Sequence, residues 1–82
     1  MTKTISPILL SQVPTGNCFT IRRVLARGEV GQRLIDFGFI KKRTGRVIRE
    51  ALLKDPIEIE LGATLISLRR SEAALVEVEP VE

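Results

Sequence analysis

The sequence predicts a mainly β fold of about five short strands with one short inserted helix. Three observations carry this expectation: a hairpin whose register follows from one glycine, an apolar alternation that skips a residue, and a single interval of helical period. The hairpin runs from Ile57 to Leu68. Glycine accommodates the positive φ at the first central position of a type II′ turn, so Gly62-Ala63 closes a two-residue loop. Counting outward sets Leu61 opposite Thr64, Glu60 opposite Leu65, Ile59 opposite Ile66, Glu58 opposite Ser67 and Ile57 opposite Leu68. Side chains alternate between faces along a strand, so Ile57, Ile59, Ile66 and Leu68 form an apolar face while Glu58, Glu60 and Ser67 turn to water. A slip of one residue would exchange the faces.

The remaining elements follow in chain order. Ile8 to Val13, followed by Pro14-Thr15-Gly16, reads as a short helical or irregular lead-in that ends at a turn. Residues 18 to 25 read as a bent strand. Phe19 and Ile21 alternate, and Val24 joins their face only if one extra residue is inserted at Arg22-Arg23, the pattern of a β-bulge. Between Gly28 and Gly38, Val30, Leu34 and Phe37 recur at i, i+4 and i+7, which places them on one helical face. Glu29 complements the dipole in the first turn, Gly38 suits the left-handed residue that ends the helix, and Phe39 falls where a Schellman cap contacts Leu34. Residues 45 to 52 read as a strand centred on Val47 and Ile48, and the loop Leu52 to Pro56 leads into the hairpin. Ser71 is placed to cap a short turn through Ala74, and Leu75 to Glu79 alternate as a closing strand ended by Pro80. Short strands with one helix after the first make a small, strongly bent, SH3-like barrel.

An 82-residue chain is expected to be one domain, residues 1–82. Cys18 is the sole cysteine and there is no histidine, so no internal disulfide forms and a Cys/His zinc site has no ligand set. A reduced, cytoplasmic protein is the expectation. No apolar run approaches the roughly 20 residues needed to cross a bilayer, and Pro7 interrupts an N-terminal run too short to direct export. The net charge of +3 is uneven: residues 1–49 hold ten basic and two acidic side chains, residues 50–82 three and eight. A fold that interleaves distant segments is expected to neutralise most of this across neighbouring strands.

Catalysis has no support, because the usual imidazole base is absent and nothing activates Cys18, which reads as a small core residue. Glu58, Glu60, Glu77 and Glu79 alternate on strands and read as solvated outer positions, so neither a metal site nor a cofactor is assigned. The basic run Lys41-Lys42-Arg43, with Arg46 and Arg49, reads as a solvated loop rather than a nucleic-acid site. Three phenylalanines, with no tyrosine or tryptophan, leave too few aromatics to stack bases or to line a groove for proline-rich peptides.

Over nearly the whole chain the sequence resembles the FeoA family, small cytoplasmic proteins of the bacterial ferrous iron transport system. The resemblance is carried by Asp55-Pro56-Ile57, by Leu68-Arg69-Arg70-Ser71-Glu72-Ala73, by Arg33-Leu34 with Phe37-Gly38-Phe39, and by the Pro14-Thr15-Gly16 turn and Ile21. It implies an SH3-like fold and a role beside the membrane GTPase and ferrous iron transporter FeoB. Two features depart from the family pattern. Lys41-Lys42 stands where Pro-Gly is usual, with Gly45 at the next core position, so a different connection is expected. The hairpin glycine commonly falls at the position of Ala63, whereas here Gly62 suits the turn derived above. The candidate partner-binding residues are Phe39, Lys41, Lys42 and Arg43 at the helix exit and Leu52 and Leu53 on the loop before the hairpin, offering FeoB a mixed apolar and cationic surface. Two alternatives remain: a regulatory module like the SH3-like C-terminal domains of metal-dependent transcriptional repressors, and homo-oligomerisation through an edge strand. The first is weakened because the sequence, beginning at Met1, carries neither the DNA-binding nor the metal-binding part of such repressors.

Overall fold

Hairpin geometry organises the chain. In the computed structural model, which describes residues 6–81, the elements are β1 (Ile8–Leu9), a 3₁₀ turn (Leu10–Gln12), β2 (Cys18–Val24), α1 (Gly28–Phe37), β3 (Thr44–Glu50), β4 (Ile57–Leu61), β5 (Thr64–Leu68), α2 (Arg70–Ala73) and β6 (Val76–Val81). The strands form one antiparallel sheet in the order β1-β6-β2-β3-β4-β5. The β4–β5 register is the one derived from Gly62, pair for pair from Leu61↔Thr64 to Ile57↔Leu68. Gly62 has φ 59 and Ala63 is not among the residues of positive φ, as a type II′ turn requires.

Six strands are present among the described residues where about five were expected, and β1 and β5 are sheet edges, so the ladder does not close into a barrel. The added strand is β1, whose two residues pair Ile8 with Val78 and Leu9 with Glu77. Two residues are too few to show a period. The closing strand runs through Pro80 to Val81 instead of stopping before the proline. Pro80 lies beyond the last β1 partner, where one side of β6 is open and proline is tolerated.

The β2–β6 register shifts between Ile21 and Arg23, which makes Arg22 the extra residue of the expected bulge. A second shift, between Val47 and Arg49, leaves Ile48 over and bends β3, which ends at Glu50 rather than at Leu52. Alternation delivers the core: Phe19, Ile21, Ile59, Leu68, Val76 and Val78 are buried, and no polar or charged residue is buried among those described.

Helix α1 stops as expected. Gly38 is left-handed at φ 109, its N–H donates to the Ile35 carbonyl at 2.9 Å, and the Phe39 N–H reaches the Leu34 carbonyl at 3.1 Å. These are the two bonds of a Schellman motif, with Leu34 and Phe39 both buried. Its inward face differs from the expected one: Gly31 and Leu34 are buried, while Val30 and Phe37 are half-exposed. A Cβ on Gly31 would sit 2.4 Å from the Ala26 carbonyl oxygen, so the missing side chain lets the helix approach the segment before it. The Arg33 guanidinium lies 5.8 Å from the Phe37 ring centroid and covers part of that ring. Ser71 does not cap α2; Arg69 is the N-cap residue, and its N–H is satisfied by the Glu72 carboxylate at 3.1 Å.

Among the described residues the charge asymmetry is cancelled only in part, by pairs between distant elements. Arg22 pairs with Glu77 and Glu79, Arg23 with Glu77, Arg33 with Glu72 and Arg49 with Glu58, each joining a cation of the first half to a carboxylate of the second.

Candidate functional site

Two exposed features lie at opposite ends of β3. The first is the β3–β4 loop. Lys54 N–H donates to the Ala51 carbonyl at 2.8 Å and Ala51 N–H to the Pro56 carbonyl at 2.9 Å, with Lys54 left-handed at φ 66. This tight turn leaves Leu52 98% and Leu53 86% exposed, the two most exposed large apolar residues among those described. Neither tucks inward.

The base of this loop is fixed from elsewhere. Arg70 donates through Nε to the Lys54 carbonyl at 2.6 Å, through one terminal nitrogen to the Ser11 carbonyl at 2.6 Å and through the other to Glu50 Oε1 at 2.9 Å. The Arg70 backbone N–H donates to Asp55 Oδ1 at 3.0 Å. One residue thus binds the loop, the end of β3, the 3₁₀ turn and the start of α2. Two exposed leucines are in this way presented on a hydrogen-bonded footing, which lowers the entropy lost on docking.

The second feature is the helix exit. Arg43 N–H donates to the Ile40 carbonyl at 3.2 Å and Lys42 has φ 75, which together make a type II turn with Lys41 and Lys42 at its centre. Ile21 N–H donates to the Arg43 carbonyl at 2.8 Å and Lys42 N–H to the Ile21 carbonyl at 2.7 Å, so two loop residues oppose one on β2. That is a G1 bulge with lysine at the position usually held by glycine. The loop closes an open cleft of about 430 Å³ lined by Thr20, Ile21, Arg22, Arg23, Lys41, Lys42 and Glu79. Beside it a more open depression of about 300 Å³ is lined by Val24, Ile35, Phe39 and Ile40 together with Arg22, Arg23 and Lys41.

The structure separates what the sequence reading joined. Lys41, Lys42 and Arg43 are exposed before β3, and Leu52 and Leu53 follow it, across seven residues that span roughly 20 Å. They do not form one continuous patch. Phe39 is corrected as a contact residue: it is 1% exposed, because the Schellman cap turns it into the core against Leu34. The apolar partners of the helix-exit cations are instead Val24, Ile35 and Ile40, with Arg22 and Arg23 added by the bulge. Ile35 and Ile40 stand outside the i, i+4, i+7 pattern, and that off-pattern position was their only signal. Among the described residues no group of three His, Cys, Asp or Glu side chains gathers closely enough to hold a metal ion. No helix of the described residues is long and apolar enough to cross a membrane.

The FeoA domain family model matches residues 8–80. The chain belongs to the FeoA family. A Fe(2+) transport protein A/Fe(2+) transporter FeoB fusion protein of Porphyromonas gingivalis is 39% identical over 70 residues, covering 85% of this chain and 8% of the fusion. A putative Fe(2+) transport protein A of Campylobacter jejuni is 33% identical over 84% of this chain and 93% of that protein. The chain therefore spans under a tenth of the first relative and nearly all of the second. The solved structure of Stenotrophomonas maltophilia FeoA complexed with zinc, described as a prokaryotic SH3 domain protein, superposes with TM-score 0.79 at 28% identity, covering 87% of this chain and 88% of that one. The fold is SH3-like. A manganese-dependent transcriptional repressor shares the fold alone, with TM-score 0.82 at 16% identity over 96% of this chain and 44% of the repressor.

Within the FeoA family the Lys41-Lys42 departure now has a physical reading. Proline at the first central position and glycine at the second are the residues a type II turn favours. This chain makes such a turn with Lys42 in the left-handed region, and so displays two cations there.

Proposed function

We propose that this FeoA-family chain is a non-enzymatic accessory protein of ferrous iron uptake that acts in the cytoplasm by binding the membrane GTPase and iron transporter FeoB. The observation that carries the reading is the Arg70-clamped loop, which holds Leu52 and Leu53 almost fully out of the protein. Burying two leucines in a partner's pocket gains on the order of 3–5 kcal/mol before association costs, enough to anchor a regulatory contact. The Porphyromonas gingivalis relative, whose name joins transport protein A to FeoB in one chain, supports FeoB as that partner. Fusion makes the contact intramolecular and raises its effective concentration.

The test is a titration of the isotope-labelled chain into the purified cytoplasmic region of its cognate FeoB, with and without guanine nucleotide. Saturable shifts centred on residues 51–55, lost in Leu53→Asp while its melting temperature is kept, are the expected result. Equal affinity for Leu53→Asp would sink the loop as the contact.

A second reading, self-association, is supported by β5. It is an edge strand with no charge, proline or bulge to protect it, and Leu65 is 58% exposed. Sedimentation velocity across a hundredfold concentration range checks it, and a concentration-independent monomer excludes it.

A further inference from the structure

We propose that the cationic cleft at the helix exit, lined by Arg22, Arg23, Lys41 and Lys42, receives an acidic segment of the protein partner whose apolar side chain rests on Ile35 and Ile40; this deepens, and rests on, the FeoB reading. Three independent observations converge on it. The β2 bulge turns two successive arginines toward the same side, where Glu77 and Glu79 are their only carboxylate partners among the described residues. Lys41 and Lys42 have no carboxylate within ion-pair distance among the described residues, so the cleft keeps an excess of positive charge.

Backbone strain is the second observation. Lys42 holds φ 75 at a turn and bulge position where glycine sits without steric cost. Strain of this kind persists at ligand-binding sites, where the side chain contributes what the fold does not need. Here the contribution is a cation at the mouth of the cleft.

The third is the neighbouring depression. Ile35 and Ile40 are 44% and 49% exposed and line this depression with Val24, Arg22, Arg23 and Lys41. An aliphatic floor beside a cationic wall complements an amphipathic segment that carries leucine-type and carboxylate side chains on adjacent turns. It does not suit nucleic acid, since the floor has no exposed aromatic on which a base would stack.

The experiment measures binding of the cytoplasmic region of FeoB to the parent chain, Lys42→Gly, Lys41→Ala/Lys42→Ala and Leu53→Asp at low and high salt. Lys42→Gly is expected to melt at or above the parent's temperature, because it relieves the strain, and to bind severalfold more weakly. The double variant is expected to lose most of the salt dependence. Resonances of residues 22–24, 35 and 40–42 should shift with the parent and stay still with the double variant. If Lys42→Gly and the double variant bind like the parent while Leu53→Asp does not, the cleft inference is overturned and the FeoB reading stands. Parent-like binding by every variant overturns both the cleft and the loop as contacts while FeoB stands as the partner, and no binding by the parent overturns the FeoB reading itself. Displacement of FeoB from the cleft by a single-stranded oligonucleotide at physiological salt would overturn the acidic-segment assignment.

Discussion

Arg70 Nε donates to the Lys54 carbonyl at 2.6 Å, across sixteen positions of sequence, and this bond fixes the shape of the loop that carries Leu52 and Leu53. The same side chain also reaches Ser11 and Glu50. The Asp55-Pro56 and Arg69-Arg70-Ser71-Glu72 stretches that carried the family resemblance therefore share one job. Asp55 and Glu72 satisfy the backbone donors at the start of α2, and Arg70 ties that start back to the loop.

Removing the clamp should loosen the loop and the fold together. Arg70→Ala leaves two carbonyls and a carboxylate without their charged donor, at a cost of about 2 kcal/mol once the partial exposure of Arg70 is allowed for. For a domain of this size that is a fall in melting temperature of about 10 °C. Amide exchange at residues 51–55 should accelerate more than at β2 or β6. Uniform acceleration would show that Arg70 has no local role.

Phe39 and Leu53 should behave in opposite ways. Phe39 is buried at the Schellman cap, so Phe39→Ala should destabilise by about 3–5 kcal/mol and depress partner binding only through loss of fold. Leu53 is 86% exposed, so Leu53→Ala should change stability by less than about 0.5 kcal/mol. Urea unfolding of the two variants separates them, and a stable, folded Phe39→Ala would contradict the packing described.

This contrast shows what a sequence exposes. The β4–β5 register, the Arg22 bulge and the Gly38 cap were legible because each depends on neighbours a few residues apart: a period, a skipped residue, a glycine. The exposure of Leu52 and Leu53 was expected from their place outside the strand pattern, but the clamp beneath them was not legible, since Arg70 lies sixteen positions from Lys54 and fifty-nine from Ser11. The inward face of α1 was misread because Gly31, with no side chain to count as apolar, is the residue that packs. Phe39 was placed correctly in the cap but also assigned to partner binding, and only one of the two roles is available to a buried ring.

Gly45 illustrates the same limit at a core position. A Cβ there would lie 2.6 Å from Phe19 Cζ and 2.9 Å from the Glu60 carbonyl oxygen. The space a side chain would take at this core position is filled by the Phe19 ring, which is fully buried and paired across from Gly45 in the β2–β3 ladder. Gly45→Ala should therefore destabilise by about 1–3 kcal/mol through overpacking. Adding Phe19→Leu frees the space, so in a double-mutant cycle the alanine should cost less on the leucine background than on the parent. Strict additivity would argue against the clash.

Glu77 couples stability to the cationic cleft. A single carboxylate oxygen accepts from Arg22 Nε at 3.3 Å and Arg23 Nε at 3.1 Å, so it bridges both residues of the bulge. The arginines are 45% and 68% exposed and screened by solvent, whereas Glu77 is only 17% exposed. Glu77→Gln should then cost no more than about 1 kcal/mol, and less as salt is added. The same change releases the two arginines and makes the cleft more positive by one charge. If an acidic segment binds there, Glu77→Gln should bind it more tightly at low salt even though the protein is slightly less stable. Calorimetry at two ionic strengths checks both halves of the prediction, and weaker binding together with lower stability would mean that Glu77 holds the cleft in shape rather than setting its charge.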